Sequence, residues 1–194
     1  VTFYKSVNQL PDFQDYSMSD RTYRYFKGSP LFCFGHGLSY TTFEYGKFKL
    51  STSSYRGGQL MAYFTLTNTG DRKGSEIAQV YVMNPKGNYL RPEKELREFV
   101  KVSLEVGESR TITISLNERS FSLYDTDRAE FIVPSGQYKI LIGASLHDIR
   151  LDQDIEVEGV PYDRDDTKRL SEYMSMGNAE SPEVSKKQFE ILYG

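Results

Sequence analysis

The chain has 194 residues, of which 14% are aromatic: 15 Tyr and 12 Phe, with no Trp. This length suits one domain with extensions and excludes a complete (β/α)8 barrel, which typically needs about 250 residues. The formal charge is −3, from 24 Lys and Arg against 27 Asp and Glu, with no basic block to neutralise a row of phosphates and no apolar run near the roughly 18 residues of a membrane span, so neither nucleic acid nor a membrane is expected as a partner.

Residues 1–45 are dense in Tyr, Phe, Gly and Pro and show no sustained period. Val1-Thr-Phe-Tyr-Lys5 has no Met and no charged-then-apolar leader pattern, so it reads as the cut edge of a longer chain. Cys33 is the sole cysteine, which leaves no intrachain disulfide and no multi-Cys zinc site. His36 and His147 are the only imidazoles. Two segments are more particular. In Asp15-Tyr-Ser-Met-Ser-Asp-Arg-Thr-Tyr-Arg-Tyr-Phe26, Arg21 and Arg24 alternate with aromatics; in Phe32-Cys-Phe-Gly-His-Gly-Leu-Ser-Tyr-Thr-Thr-Phe43, two glycines bracket His36. Such interleaving suits a platform on which sugar rings stack. It equally suits an interdomain seam in which aromatics are covered and Arg forks bond carbonyls. Arg21, Tyr23, Arg24, Tyr25, Phe34, His36 and Tyr40 are therefore the candidate substrate or interdomain contacts.

From Lys47 to Val157 short apolar or alternating runs recur between turn signals, the habit of an all-β fold. Phe48 and Leu50 alternate with Lys47 and Lys49, and Leu60, Ala62, Phe64 and Leu66 share one face of the next run, which Asn68-Thr-Gly-Asp71 ends. Strands are then predicted over 76–82, 98–104 and 110–116, with Ile112, Ile114 and Leu116 facing one way. Phe121-Ser-Leu-Tyr124 and Glu130-Phe-Ile-Val133 follow, and Pro134-Ser-Gly136 turns the chain into 138–143 before a last strand in 149–157. The gaps are too short for parallel crossovers, so mostly antiparallel pairing is predicted. With no Cys pair and no Trp, the antibody version of an immunoglobulin-like sandwich is excluded. Beyond Tyr162 the chain becomes charged. Ser181-Pro182 resembles a helix start, with Val184, Ile191 and Leu192 near one face and Phe189 beside them, and a shorter helical stretch is expected around 168–174.

The search for chemistry finds little. Asp71, Glu76, Glu93, Glu95, Glu105, Glu108, Asp125 and Asp127 fall in turns or on polar strand faces, not as a pair set across a cleft. Neither Asp12, Asp15 and Asp20 nor Asp163, Asp165 and Asp166 has calcium-loop spacing, and Gly35-His-Gly-Leu-Ser39 has no nucleophile where an elbow needs one. No metal and no cofactor is expected.

Arg21-Thr-Tyr-Arg-Tyr25 followed by Pro30-Leu-Phe-Cys-Phe-Gly-His-Gly-Leu-Ser-Tyr-Thr-Thr-Phe43 resembles the C-terminal region of glycoside hydrolase family 3, the β-glucosidases and β-xylosidases. The resemblance continues through Asn68-Thr-Gly70, Gly74-Ser-Glu-Ile-Ala-Gln-Val-Tyr-Val82, Arg91-Pro-Glu-Lys-Glu-Leu-Arg-Glu-Phe99, Val106-Gly-Glu108, Ser135-Gly-Gln-Tyr138 and Ile142-Gly-Ala144, so it covers about residues 1–158. It departs at Cys33, where the family commonly has Pro, and at Asp20, where it commonly has Gly.

The resemblance implies an immunoglobulin/fibronectin type III-like antiparallel β-sandwich with an irregular N-terminal connector and a short C-terminal helical tail. Residues 1–45 would be the end of a preceding α/β domain and the connector, with 1–10 as that domain's last strand; 46–158 would be the sandwich, and 159–194 a charged tail to which nothing transfers. It also implies a parent that is a retaining hydrolase of terminal β-linked glucose or xylose. In that family the nucleophile is an Asp in a Ser-Asp-Trp context on a barrel-like domain and the acid/base Glu lies on the α/β domain; a chain without Trp cannot contain the former, so no catalytic residue is expected here. The implied role is a non-catalytic accessory domain that stabilises or orients the catalytic domains of the same parent chain. The alternative is a carbohydrate-binding module that takes oligosaccharide on exposed aromatics.

Overall fold

The computed structural model describes residues 2–15, 18, 20–87, 89 and 91–165. Among them are ten strands: β1 (Phe43–Leu50), β2 (Ser54–Tyr55), β3 (Leu60–Asn68), β4 (Gly74–Met83), β5 (Lys94–Leu104), β6 (Ser109–Leu116), β7 (Leu123–Asp125), β8 (Glu130–Ile132), β9 (Gly136–Gly143) and β10 (Ile149–Val157). The fold is mostly β. A three-stranded sheet runs β1-β3-β6, a five-stranded sheet β2-β10-β9-β4-β5, and β7-β8 form a separate hairpin. Every pairing is antiparallel except β2 on β10, as the short connections require. The tail helices expected after residue 165 lie outside the described residues.

The chain divides into two compact units, one of residues 1–34, 86–93 and 163–194 and the other of Gly35–Pro85 and Lys94–Tyr162. In the second unit the inward faces are those that the alternation assigns. Leu60, Ala62, Phe64 and Leu66 are wholly buried, as are Ala78, Val80 and Val82 of β4 and Ile140 and Ile142 of β9, and the two larger sheets contribute to one apolar core. Each large side chain buried there contributes roughly 1.5–3 kcal/mol relative to its exposed state. Tyr55, Phe121 and Tyr138 meet in the core, with Phe121 edge-on to Tyr138 at 5.5 Å and tilted on Tyr55 at 4.8 Å.

Two strands depart from the simple alternation. β1 begins at Phe43, and its pairing with β3 shifts between Gly46 and Lys49, where Lys47 takes a φ of 52°. β5 begins four residues before the predicted start, at Lys94, and a bulge opposite Val80 and Tyr81 accommodates Arg97. An extra residue on one strand inverts the in/out period and hides the strand from a pattern of two.

Buried polar groups fix the corners. Asn68, with no exposed surface, accepts from Thr41 Oγ1 at 2.7 Å and Gly70 N at 3.1 Å, and donates to Arg72 O and Leu104 O at 2.8 and 3.1 Å. Its backbone is satisfied as well, by Glu108 O and Gly107 N, each at 3.0 Å. The Tyr138 hydroxyl donates to Pro134 O, four residues back, at 2.9 Å, the geometry of the tyrosine corner of immunoglobulin-like folds. Asn117 and Ser120 close a capping box around the 3-10 turn Glu118–Ser120.

The first unit has little regular structure. Residues 2–10 form no ladder: Phe3 makes one bridge to Phe32, and Val7–Gln9 is a 3-10 turn. The four-residue helix α1 (Thr22–Tyr25) lies within the Arg and aromatic segment.

Candidate functional site

In the first unit the rings pair off among themselves. Tyr23 stacks on Phe34 with centroids 4.1 Å apart and planes at 17°. Tyr4 meets Phe26 edge-on at 5.0 Å, and its hydroxyl donates to Asp20 O at 2.8 Å. The Arg21 guanidinium donates to the carbonyls of Asp12, at 3.2 Å, and Asp15, which ties the 12–15 turn to α1. Arg24 is exposed and Tyr25 half-buried. Of the candidate residues, the structure brings Tyr23 and Phe34 together and turns Arg21 onto backbone oxygens of its own unit.

Asp20 takes a φ of 50° and Thr22 a φ of 56°. Glycine adopts this left-handed region without cost, which gives a physical reason for the glycine common at the Asp20 position; Asp tolerates it better than most residues, whereas a β-branched Thr does so against its own preference.

His36 and Tyr40 lie in the second unit, on the loop from Gly35 to Thr41. Residues 36–40 are all exposed, Leu38 by 94% and Tyr40 by 92%. Both ends of the loop are held by polar contacts. At one end Gln79 Nε2 donates both to Gly35 O at 3.0 Å and to Ala144 O at 2.7 Å, while Gln79 Oε1 accepts from the Tyr81 hydroxyl at 2.6 Å. Gly35 has a φ of 78°, and a Cβ there would strike Gln79 Oε1. At the other end Thr41 is tied to Asn68. Gln79 and Tyr81 point away from Ala78, Val80 and Val82, yet both are buried. The sequence carries a signal for this, a glutamine and a tyrosine at the outward positions of a strand with an apolar inward face, but reading 76–82 only as a strand missed it.

A second polar group sits where β1 and β10 approach. The buried Tyr45 hydroxyl has no hydrogen-bond partner, and the Arg150 guanidinium lies 6.0 Å from the Tyr45 ring centroid. Burial, reinforced by Glu76, pushes the Tyr45 phenol well above its ordinary range. Burial also raises the Glu76 carboxyl, against the Ile77 N–H that it accepts. Asp148 is held low by its bond to Arg150, whose guanidinium is raised in return. Among the described residues no three His, Cys, Asp or Glu side chains converge on a metal position.

The comparisons with known proteins follow this geometry. Residues 76–146 match the family described as "Fibronectin type III-like domain". Xylan 1,4-beta-xylosidase of Xylanibacter ruminicola is 41% identical over 159 residues, 80% of this chain and 17% of the relative. Thermostable beta-glucosidase B of Acetivibrio thermocellus is 42% identical over 70% of this chain and 18% of its own length. Among solved structures, the GH3 beta-glucosidase of Bifidobacterium adolescentis superposes with a TM-score of 0.65 at 32% identity, over 73% of this chain and 21% of that one. Beta-D-glucoside glucohydrolase of Trichoderma reesei superposes with a TM-score of 0.71 at 30% identity, over 81% of this chain and 26% of that one. The chain thus carries a fibronectin type III-like domain. It belongs with the domains of this type in the glycoside hydrolase family 3 β-glucosidases and β-xylosidases, and it spans about a fifth of the length of the curated relatives it matches.

Proposed function

We propose that this chain is the non-catalytic accessory part of a retaining β-glycosidase that releases terminal β-linked glucose or xylose, and that it stabilises or orients the catalytic domains of that parent. In this reading the two larger sheets close as an immunoglobulin/fibronectin type III-like sandwich over 46–158, residues 1–45 are the end of a preceding α/β domain and the connector, and 159–194 a charged tail. The observation that carries it is the concentration of exposed apolar side chains before residue 45. Phe3, Val7, Leu10, Phe13, Leu31 and Phe32 in the first unit, and Leu38 and Tyr40 in the second, are each at least 46% exposed. Water leaves such side chains uncovered only at a cost, and grouped exposure of this kind marks surfaces that meet another body. The match to the xylosidase supports the same reading, because its 159 residues cannot fit within 46–194 and so extend into the connector. The test is to co-express the chain with the remainder of a matched β-glucosidase and measure the enzyme's half-life at elevated temperature. A half-life no longer than that of the remainder expressed alone would refute the role.

A second reading, a carbohydrate-binding module, is favoured by Tyr40, which is 92% exposed. Tyr23 is less suited to it, since one face already lies on Phe34. Calorimetric titration of the chain with xylan and glucan oligosaccharides decides between them: heat that Tyr40→Ala abolishes would establish the module, and none at millimolar ligand would retire it.

A further inference from the structure

We propose that the 35–41 loop is a pre-shaped docking knob: Gln79 and Asn68 clamp its two ends so that Leu38 and Tyr40 are presented, already ordered, to the catalytic body of a family 3 glycosidase. This rests on the accessory reading above and names the element and the clamping residues that would carry it. Three observations support it. First, Leu38 and Tyr40, two positions apart, are the most exposed of the large apolar side chains at 94% and 92%. Second, side chains of the sheets tie the loop at both ends. Gln79 uses both amide hydrogens and its oxygen at Gly35, Ala144 and Tyr81, and Asn68 receives the Thr41 hydroxyl. Third, the Gly35 end admits no other residue without dislodging Gln79, since a Cβ would fall on the amide oxygen and the φ is 78°.

A loop fixed in this way has already lost the conformational freedom that docking would otherwise remove, and each side chain or loop residue ordered on binding costs affinity. Clamping costs nothing further at the moment of association. Fully bonded polar groups beneath an uncovered apolar tip are what a rigid contact element needs; a loop that served only to connect would gain nothing from projecting Leu and Tyr into water. The partner is an apolar recess on the glycosidase body, deep enough for one leucyl and one phenol side chain.

The experiment uses the full chain. Backbone order parameters from nitrogen-15 relaxation are followed at residues 36–41 in wild type, Gln79→Met and Gly35→Ala. Wild type is expected to hold the loop near the roughly 0.85 of rigid backbone, and both substitutions to lower it below about 0.6 while β3 and β9 stay rigid. Each form, together with a Leu38→Ser/Tyr40→Ser double variant, is then co-expressed with the remainder of thermostable beta-glucosidase B and recovered by a tag on this chain. Wild type is expected to retain the glycosidase body. The double variant, whose thermal midpoint should be unchanged because both side chains are exposed, is expected to retain at least tenfold less, and the two clamp variants an intermediate amount. Retention by the double variant equal to wild type would overturn the knob while leaving the accessory role standing. Wild type that retains no body would overturn both. Low order parameters in the clamp variants with undiminished retention would overturn the clamps. Should Gln79→Met fail to fold, Gly35→Ala and the double variant still decide.

Discussion

Tyr138 ties a turn to a core with one hydroxyl. Its ring lies edge-on to Phe121 and its oxygen donates to Pro134 O, so Tyr138→Phe keeps the packing and leaves a buried carbonyl unpaired. The expected loss is about 1–2 kcal/mol. Calorimetry should record it as a fall of about 2–8 °C in the midpoint; no change would mean that water reaches the carbonyl. Glu76 tests the sign of burial. Its carboxyl is raised above the ordinary 4.5, first by desolvation, so its contribution is most favourable while the acid is neutral, below the unfolded value, and is lost as pH rises through the folded one. Glu76→Gln should therefore raise the midpoint at pH 7, with the gain vanishing below pH 4. Asp148 has the opposite sign: Arg150 depresses it, so its contribution is present at neutral pH and lost on acidification.

At the level of elements, the bulge in β1 concentrates the strain of the three-stranded sheet on Lys47, which holds a φ of 52°. Lys47→Gly relieves that conformation but also loosens the unfolded chain, and the balance of the two is expected to stabilise by roughly 0.5–1 kcal/mol, read from urea midpoints. The bulges also mark the limit of what the sequence disclosed. Where a strand runs straight, as in Leu60–Leu66 and Ile112–Leu116, alternation named every buried residue. Around Lys47 and Arg97 an extra residue breaks the period, so the start of β5 at Lys94 was not visible. The short β2 lacks a pattern of its own; two residues pairing in parallel with Glu156 and Val157 are set by tertiary contact alone. The candidate site was legible as composition, an excess of aromatics before residue 45 with Arg21 and Arg24 set among them, but not as geometry. Nothing in the order of Tyr23 and Phe34 foretells their stacking, and Gln79 gains meaning only when the sheet carries it to Gly35.

Taken whole, the chain has an apolar core in one unit and uncovered apolar side chains in both. Free in solution, such a surface should find its own copies. Sedimentation velocity is expected to show a weight-average mass that rises with concentration, and Leu38→Ser/Tyr40→Ser should shift it towards monomer. A chain that stays monomeric at every concentration would contradict the view that these side chains seek a partner.

Tyr40 also makes the chain its own optical probe. Without Trp, its ultraviolet emission comes from tyrosine alone, so Trp emission in any mixture belongs to the other protein. A tyrosine that is 92% exposed on a loop is well placed to pass excitation to an indole across an interface. Docking would then be seen, with no label attached, as tyrosine light quenched and Trp light gained.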